Sequence, residues 1–233
     1  VPRLLHLDSS ARTDSFTRRL GAAFVRAWRL NGGGEVTHRD LAIDPPPPIS
    51  EGWTSLCDTL LREGITEAAT DHYAQAVRTE AERRAWAVTE PLLAELLAAD
   101  VVLIGAPMYN FGVPAALKAW IDQVTFPKMV LAPRRFVVLS ARGGAYGPGT
   151  PREPFDHQGR YLLDFFHGHY GVEDAEVISA ELVNSLSDPG LAGRLPQHLD
   201  SAAAALARAV ELGTELATVP ATTSADRTLA KEG

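Results

Sequence analysis

Five short apolar runs punctuate this chain, and the segments between them carry apolar residues at helical spacing. Arg3–Leu7 is the first run. It is followed by Phe16, Leu20, Phe24 and Trp28, one every four residues, which predicts a helix that stops at Asn31-Gly32-Gly33-Gly34. Glu35–Leu41 returns to a strand pattern, and Pro45–Pro48 makes a stiff spacer. Trp53–Ala99 reads as helical with a break at Gly64. Its last part carries a stripe of Leu92, Leu93, Leu96 and Leu97, with Pro91 either starting or kinking that helix. Val101–Gly105 is a continuous apolar strand, Pro114–Val124 a helix, Arg135–Leu139 a strand and His157–Tyr170 an aromatic-rich helix. Ala175–Ile178 is the last strand, and Pro189–Leu212 the last helix. Apolar strands alternating with helices predict a parallel sheet covered on both faces. The expected architecture is a doubly wound, five-stranded α/β sheet of order 2-1-3-4-5 in a three-layer α/β/α arrangement. A ligand would then sit beyond the carboxyl ends of the strands, at the switch point between the first and third.

Composition narrows this picture. With 233 residues, 45% of them hydrophobic, the chain can bury one large core. One domain is expected over residues 1–213, with a flexible tail over 214–233. The net charge of −7, with acids and bases interspersed, disfavours nucleic acid as a partner. Cys57 is the single cysteine, so no internal disulfide forms, and a small core hydrophobe is its simplest role. No apolar run reaches the roughly 18 residues of a membrane span. A soluble cytoplasmic protein is expected. His167 and His169 stand two apart on a predicted helix and face different ways, so no metal site is expected.

Three loops carry candidate chemistry. Asp8 to Thr17 follows the first strand and crowds Ser9, Ser10, Thr13, Ser15, Thr17 and Arg12 at a helix N-terminus. Free backbone N–H groups and hydroxyls there suit a phosphate, although simple capping by Ser15 or Asp14 accounts for the same residues. Ala106 to Pro114 follows the third strand, and sets Tyr109, Asn110 and Phe111 where a buried strand meets solvent. Aromatic faces with a few polar contacts suit a flat amphipathic ring, while a pair of core plugs is the simpler alternative. Ser140 to Gly147 follows the fourth strand. Gly143 and Gly144 would let backbone N–H groups approach a ligand, or form an ordinary turn.

Ser9–Thr17, Pro107–Phe111 and Ser140–Gly144 together resemble the flavodoxin-like FMN-dependent NAD(P)H:quinone oxidoreductase and azoreductase family. The stretch APMYNFGVPAALKAWIDQVT carries the likeness most specifically, which spans most of residues 3–213 and is weaker over 45–90. The resemblance implies the flavodoxin-like fold, FMN as cofactor, NADH or NADPH as electron donor, an aromatic small-molecule acceptor of the quinone or azo type, and a homodimer with its active site at the interface. Ser9, Ser15 and Thr17 would hold the FMN phosphate, with Phe16 donating from its backbone. Pro107, Met108, Tyr109, Asn110 and Phe111 would flank the ribityl chain and ring. Ser140, Gly143 and Gly144 would meet the pyrimidine edge. Tyr109 and Tyr146 are the side chains expected at the reacting face. Two other readings compete: an FMN-dependent tailoring enzyme for a polycyclic aromatic intermediate, and a non-catalytic flavodoxin-like binding protein. One segment departs from the family pattern. Only Thr125–Pro133 precedes the fourth strand, where relatives carry a longer aromatic cover, and the long Ile49–Glu90 region is a candidate for the replacement, the residues that form the cover being left open.

Overall fold

The computed structural model describes residues 1–221. Five parallel strands, β1 (Leu4–Asp8), β2 (Val36–Asp40), β3 (Val101–Gly105), β4 (Arg135–Ala141) and β5 (Glu176–Ala180), form one sheet of order β2-β1-β3-β4-β5. Each apolar run in the sequence becomes a strand, with ends shifted by at most two residues. The central strands β1 and β3 are buried along their whole length. The edge strand β2, Val-Thr-His-Arg-Asp, is only partly covered, and its polar residues suit that place.

Strand side chains alternate between two cores, as period-two geometry requires. Leu4, Val101, Leu103, Val137 and Leu139 pack under α1 (Phe16–Leu30) and the last helix α7 (Leu195–Leu216). Leu5, Leu7, Val102, Ile104, Phe136 and Val138 face the other helices. These are α2 (Glu51–Glu63), α3 (Thr70–Ala74), α4 (Glu80–Ala98), α5 (Ala115–Val124) and α6 (His157–Tyr170). The doubly wound three-layer architecture expected from the pattern is the one observed, and it is the fold that the resemblance implies.

Boundaries moved where local chemistry overrides periodicity. Gly64 ends α2 in a left-handed conformation, φ 68°, which glycine adopts at least cost. Pro91 lies inside α4 rather than at its start. Residues Pro189–Arg194 form a 3₁₀ turn, so α7 begins at Leu195 and continues to Leu216. Part of the expected tail is therefore helical, and its remainder from residue 222 lies outside the described residues. Cys57 is buried in the core, where desolvation pushes its thiol up to about 12.

The short segment 125–133 turns inward. Phe126, Met129 and Leu131 are fully buried, and the Phe126 ring meets Tyr73 at 4.5 Å and Trp53 at 5.4 Å between centroids. It thus anchors the α2–α4 excursion to the main core. That excursion is also tied to itself by Glu82. Ser55 Oγ donates to Glu82 Oε1 at 2.7 Å, and the backbone N–H groups of Arg78 and Thr79 donate to Oε2 at 2.8 Å each. Thr79 Oγ1 accepts from Glu82 N in return, completing a capping box.

Hydrogen bonds to Ser55 first, then to the Thr79 and Arg78 backbone, hold the Glu82 carboxyl down at about 2. A depressed carboxyl contributes stability above its unfolded pKa, which is lost as pH falls toward the folded value. Glu82→Gln should therefore lower stability by about 2 kcal/mol at neutral pH. The gap should close between pH 4.5 and 2, as read from urea melts at several pH values. An unchanged gap across that window would refute the role given to the carboxylate.

Candidate functional site

The carboxyl ends of β1, β3 and β4 stop side by side. Asp8 pairs with Gly105, and Gly105 with Leu139. Beyond them the loops stay laced together: Ser9 N donates to Gly105 O, Ala106 N to Leu139 O, and Met108 N to Ala141 O. Above this seam opens a cleft of about 650 Å³, within the range of small-molecule sites. Its lining comes from the three loops and from residues 183–187 after β5.

The first loop supplies Ser10, Arg12, Asp14, Ser15, Phe16 and Arg19. Ser15, not Asp14, caps α1: its Oγ accepts from Arg18 N and shares a hydrogen bond with Thr17 Oγ1 at 3.1 Å. The backbone N–H groups of Phe16 and Thr17 have no acceptor among the described residues. They sit at the positive end of the helix dipole beside the Arg12 and Arg19 guanidinium groups, a combination that attracts an anion. Ser9 is buried, and its Oγ donates to Gly105 O at 2.6 Å. Ser9 and Thr17 therefore build the floor of the loop and do not line the cleft. Arg18 straps the loop from below, donating from Nε to Arg12 O and from Nη2 to Ser10 O, both at 2.9 Å.

The second loop folds into a two-residue hairpin. Tyr109 and Gly112 exchange backbone hydrogen bonds across Asn110 and Phe111, whose φ angles are +50° and +67°. This is a type I′ turn, which Asn tolerates and a bulky aromatic rarely adopts. Strain of about 1–3 kcal/mol at Phe111 is the expected magnitude. The turn sets Pro107, Met108, Tyr109, Asn110 and Phe111 on one wall of the cleft. The Tyr109 hydroxyl accepts from Ala11 N at 3.2 Å and so bridges the first and second loops.

The third loop supplies Ala141, Gly143 and Tyr146 to the lining. The N–H groups of Gly143 and Gly144 carry no internal hydrogen bond among the described residues, while their carbonyls accept from Asn184 N and Leu182 N. The loop is thus pinned by its acceptors and leaves its donors free. A Cβ at Gly143 would lie 2.7 Å from Asn184 Nδ2, so close packing requires glycine there. Tyr146 is nearly buried, and its ring stands edge-on to Phe111 at 6.2 Å. Ser140 is fully buried and lies below the cleft.

Four residues without an expected role organise the site. Gln158, buried in the first turn of α6, donates from Nε2 to Ala106 O, Pro107 O and Gly112 O at 3.0–3.3 Å and accepts from Ser140 Oγ at 2.7 Å. Arg142 is buried behind the two glycines. It pairs with Asp156 at 2.9 Å, approaches Glu181 at 3.7 Å, and donates to Ser140 Oγ at 3.3 Å. Glu181 in turn accepts from Tyr146 N at 2.8 Å. Asn184 is the packing partner of Gly143 and lines the cleft. Only Arg142 had a local signal, as the cation inside the Ser-Ala-Arg-Gly-Gly run.

The expectation for a cover is corrected. No residue of 49–90 lines the cleft, because Trp53, Tyr73 and Trp86 are spent on Phe126 in the core. The rim is instead made by the loops after β4 and β5. Phe155 stacks on Phe111 at 5.7 Å, and Leu186 lines the edge. Phe111, Phe155 and Leu186 remain 41%, 49% and 51% exposed.

The site joins a helix N-terminus flanked by Arg12 and Arg19, an apolar wall and Gly143, whose N–H has no acceptor among the described residues. A flat ring with a phosphate tail fits these features. A family profile described as a flavodoxin-like fold matches residues 2–206. An FMN-dependent NADH:quinone oxidoreductase of Nocardia farcinica is 56% identical over 92% of this chain and 99% of its own length. One of the same name from Kineococcus radiotolerans is 38% identical over 93% of this chain and all of its own. Among solved structures, an FMN-dependent NADH-azoreductase of Bacillus anthracis in complex with FMN superposes with a TM-score of 0.71 at 18% identity, covering 93% of this chain and 99% of that one. At that identity the likeness concerns the fold.

Removing the clamp tests the construction of the cleft. Gln158→Leu removes the donor to Ala106 O and Pro107 O and the acceptor of the Ser140 hydroxyl, while Gly112 O keeps Tyr109 N and Ser140 Oγ keeps Arg142 Nε, and should destabilise the chain by about 2 kcal/mol. The urea midpoint should fall at unchanged slope. A midpoint equal to the parent's would show that the loops hold without it.

Proposed function

This chain belongs to the flavodoxin-like family of FMN-dependent NADH:quinone oxidoreductases, and from that premise we propose that its cleft binds FMN and passes electrons from NADH to quinone or azo-type aromatic acceptors by a ping-pong cycle. The observation that carries the reading is the meeting in one cleft of the Tyr109–Asn110–Phe111 turn with Gly143, whose N–H has no hydrogen-bond acceptor among the described residues. When bound, FMN supplies the two-electron redox chemistry.

The chain's own residues bind and orient. Phe16 and Thr17 would donate backbone N–H groups to the phosphate, with Ser15 beside them and Ser9 fixing the floor. Pro107, Met108, Asn110 and Phe111 would flank the ribityl chain and ring. Gly143 and Gly144 would donate to the pyrimidine edge, where negative charge grows on reduction. Donors held in place before charge develops need no reorganisation. Ser140 would act through Gln158, by fixing the wall opposite. Arg142, buried beneath the glycines and paired with Asp156 and Glu181, braces the same side. Tyr109 and Tyr146 would meet the donor or acceptor at the open face. A cytoplasmic homodimer is part of this reading. The exposed Phe111, Phe155 and Leu186 at the rim support cover by a second copy.

Residues 125–133 pack inward and put no side chain on the cleft, which on this reading leaves the acceptor side open. That favours large planar acceptors and keeps a polycyclic tailoring substrate as the second reading. A protein with neither flavin nor turnover would fit the non-catalytic alternative.

Reconstitution with FMN should restore the visible absorbance of oxidised flavin. NADH oxidation with a benzoquinone should then give parallel double-reciprocal lines as acceptor concentration is varied. Converging lines would overturn the ping-pong cycle, and a colourless protein that resists reconstitution would overturn the whole reading. Gly143→Val forces a side chain into Asn184, and Asn110→Leu removes the residue that best tolerates the left-handed turn. Each should weaken FMN binding by more than about tenfold, or 1.4 kcal/mol, as read by flavin fluorescence titration. Parent affinity in either variant would release that loop from its assignment.

A further inference from the structure

A second polar constellation lies on the α1 face of the sheet, outside the cleft. β1 and β2 run parallel in register, so His6 stands opposite His38 and Asp8 opposite Asp40. His6 and Asp8 project under α1, because alternate residues of a strand share a face. The result is a compact set: one nitrogen from each imidazole and one Asp8 carboxylate oxygen all lie within 4.8 Å of one another. His38 Nε2 is 2.9 Å from Asp8 Oδ2, and His6 Nε2 is 3.9 Å from the same oxygen.

One buried ring nitrogen there has no hydrogen-bond partner among the described residues: His6 Nε2, in a residue only 7% exposed. A buried polar atom left alone is costly and asks for an explanation, such as an ion or a water. His6 is also hemmed in, since a Cβ at Gly21 would lie 2.6 Å from its Nε2. Its ring therefore cannot swing away under α1. His38 is on the open side, with about half of its side chain exposed, which leaves an entry path and room for a water ligand.

We propose that His6, Asp8 and His38 bind one divalent metal ion of the zinc class. Two imidazoles and one carboxylate with an open fourth position is a common donor set for such ions. Tetrahedral ligands at about 2.0–2.2 Å need spacings near 3.3–3.6 Å, so both imidazoles must shift about Asp8, whose Oδ2 is 2.9 Å from His38 Nε2 and 3.9 Å from His6 Nε2, the three atoms lying within 4.8 Å of one another. Arg18 does not displace the ion. Its Nη1 lies 3.4 Å from Asp8 Oδ2 but 2.6 Å from Asp40 Oδ2, so Asp40 matches its charge. Arg18 would orient the ligating carboxylate, as outer-shell partners do. The ion would staple the edge strand β2 to β1 one residue before the loop that begins at Ser9. This site does not depend on the function proposed for the cleft.

The test uses the full chain, stripped with a chelator and titrated with zinc chloride by calorimetry. One equivalent should bind and raise the melting temperature, since a ligand of the folded state stabilises it. His38→Ala, at an exposed position, should fold normally and bind zinc at least about tenfold more weakly. His6→Gln should do the same, whereas His169→Ala, on the exposed face of α6, should bind as the parent does. No saturable binding to the parent, or parent-like binding by His38→Ala, would overturn the proposal.

Discussion

One buried carboxamide holds the cleft together. Gln158 sits where α6 begins and offers its amide N–H groups to three carbonyls of the second loop while its oxygen takes the Ser140 hydroxyl. Loops that leave neighbouring strands would otherwise end in unpaired backbone groups, which a buried position cannot tolerate. The side chain satisfies them and fixes the distance between β4 and the Tyr109–Gly112 turn. The position of the aromatic wall follows from it, while the two glycines are pinned by Leu182 and Asn184.

Charge is arranged on the same plan. Arg18 beneath the first loop and Arg142 beneath the third are each held by carboxylates, Asp40 in one case and Asp156 in the other. Neither cation needs to reach the cleft to matter. Each fixes loop backbone or field from below, while Arg12 and Arg19 stay at the surface of the cleft. The sheet thus presents fixed donors upward and keeps its compensating charges underneath.

The strands were legible because each is a short apolar run, and β3 and α6 match their expected limits residue for residue. The three loops were legible because unusual residues cluster directly after strands. Their internal division of labour was not. The resemblance assigns Ser9, Thr17 and Ser140 to the cofactor, and tertiary structure also gives their hydroxyls protein partners in Gly105 O, Ser15 Oγ and Gln158 Oε1. Gln158 and Asn184 gave no signal, since their partners lie far off along the chain. The excursion over 49–90 was a candidate cover for the cleft on length alone. Its aromatics converge instead on Phe126, a contact no local pattern announces. The His6–His38 pairing is hidden for the same reason: only the parallel register brings the two rings together.

Phe111 occupies a backbone conformation that L-residues resist, and it also forms the aromatic wall with Tyr146 and Phe155. Glycine or asparagine would relax the turn and erase the wall. Selection for a more durable fold and selection for a working cleft therefore pull this one position in opposite directions. The chain keeps the strained choice, and sequences drifting toward greater thermal endurance have a reason to abandon it first.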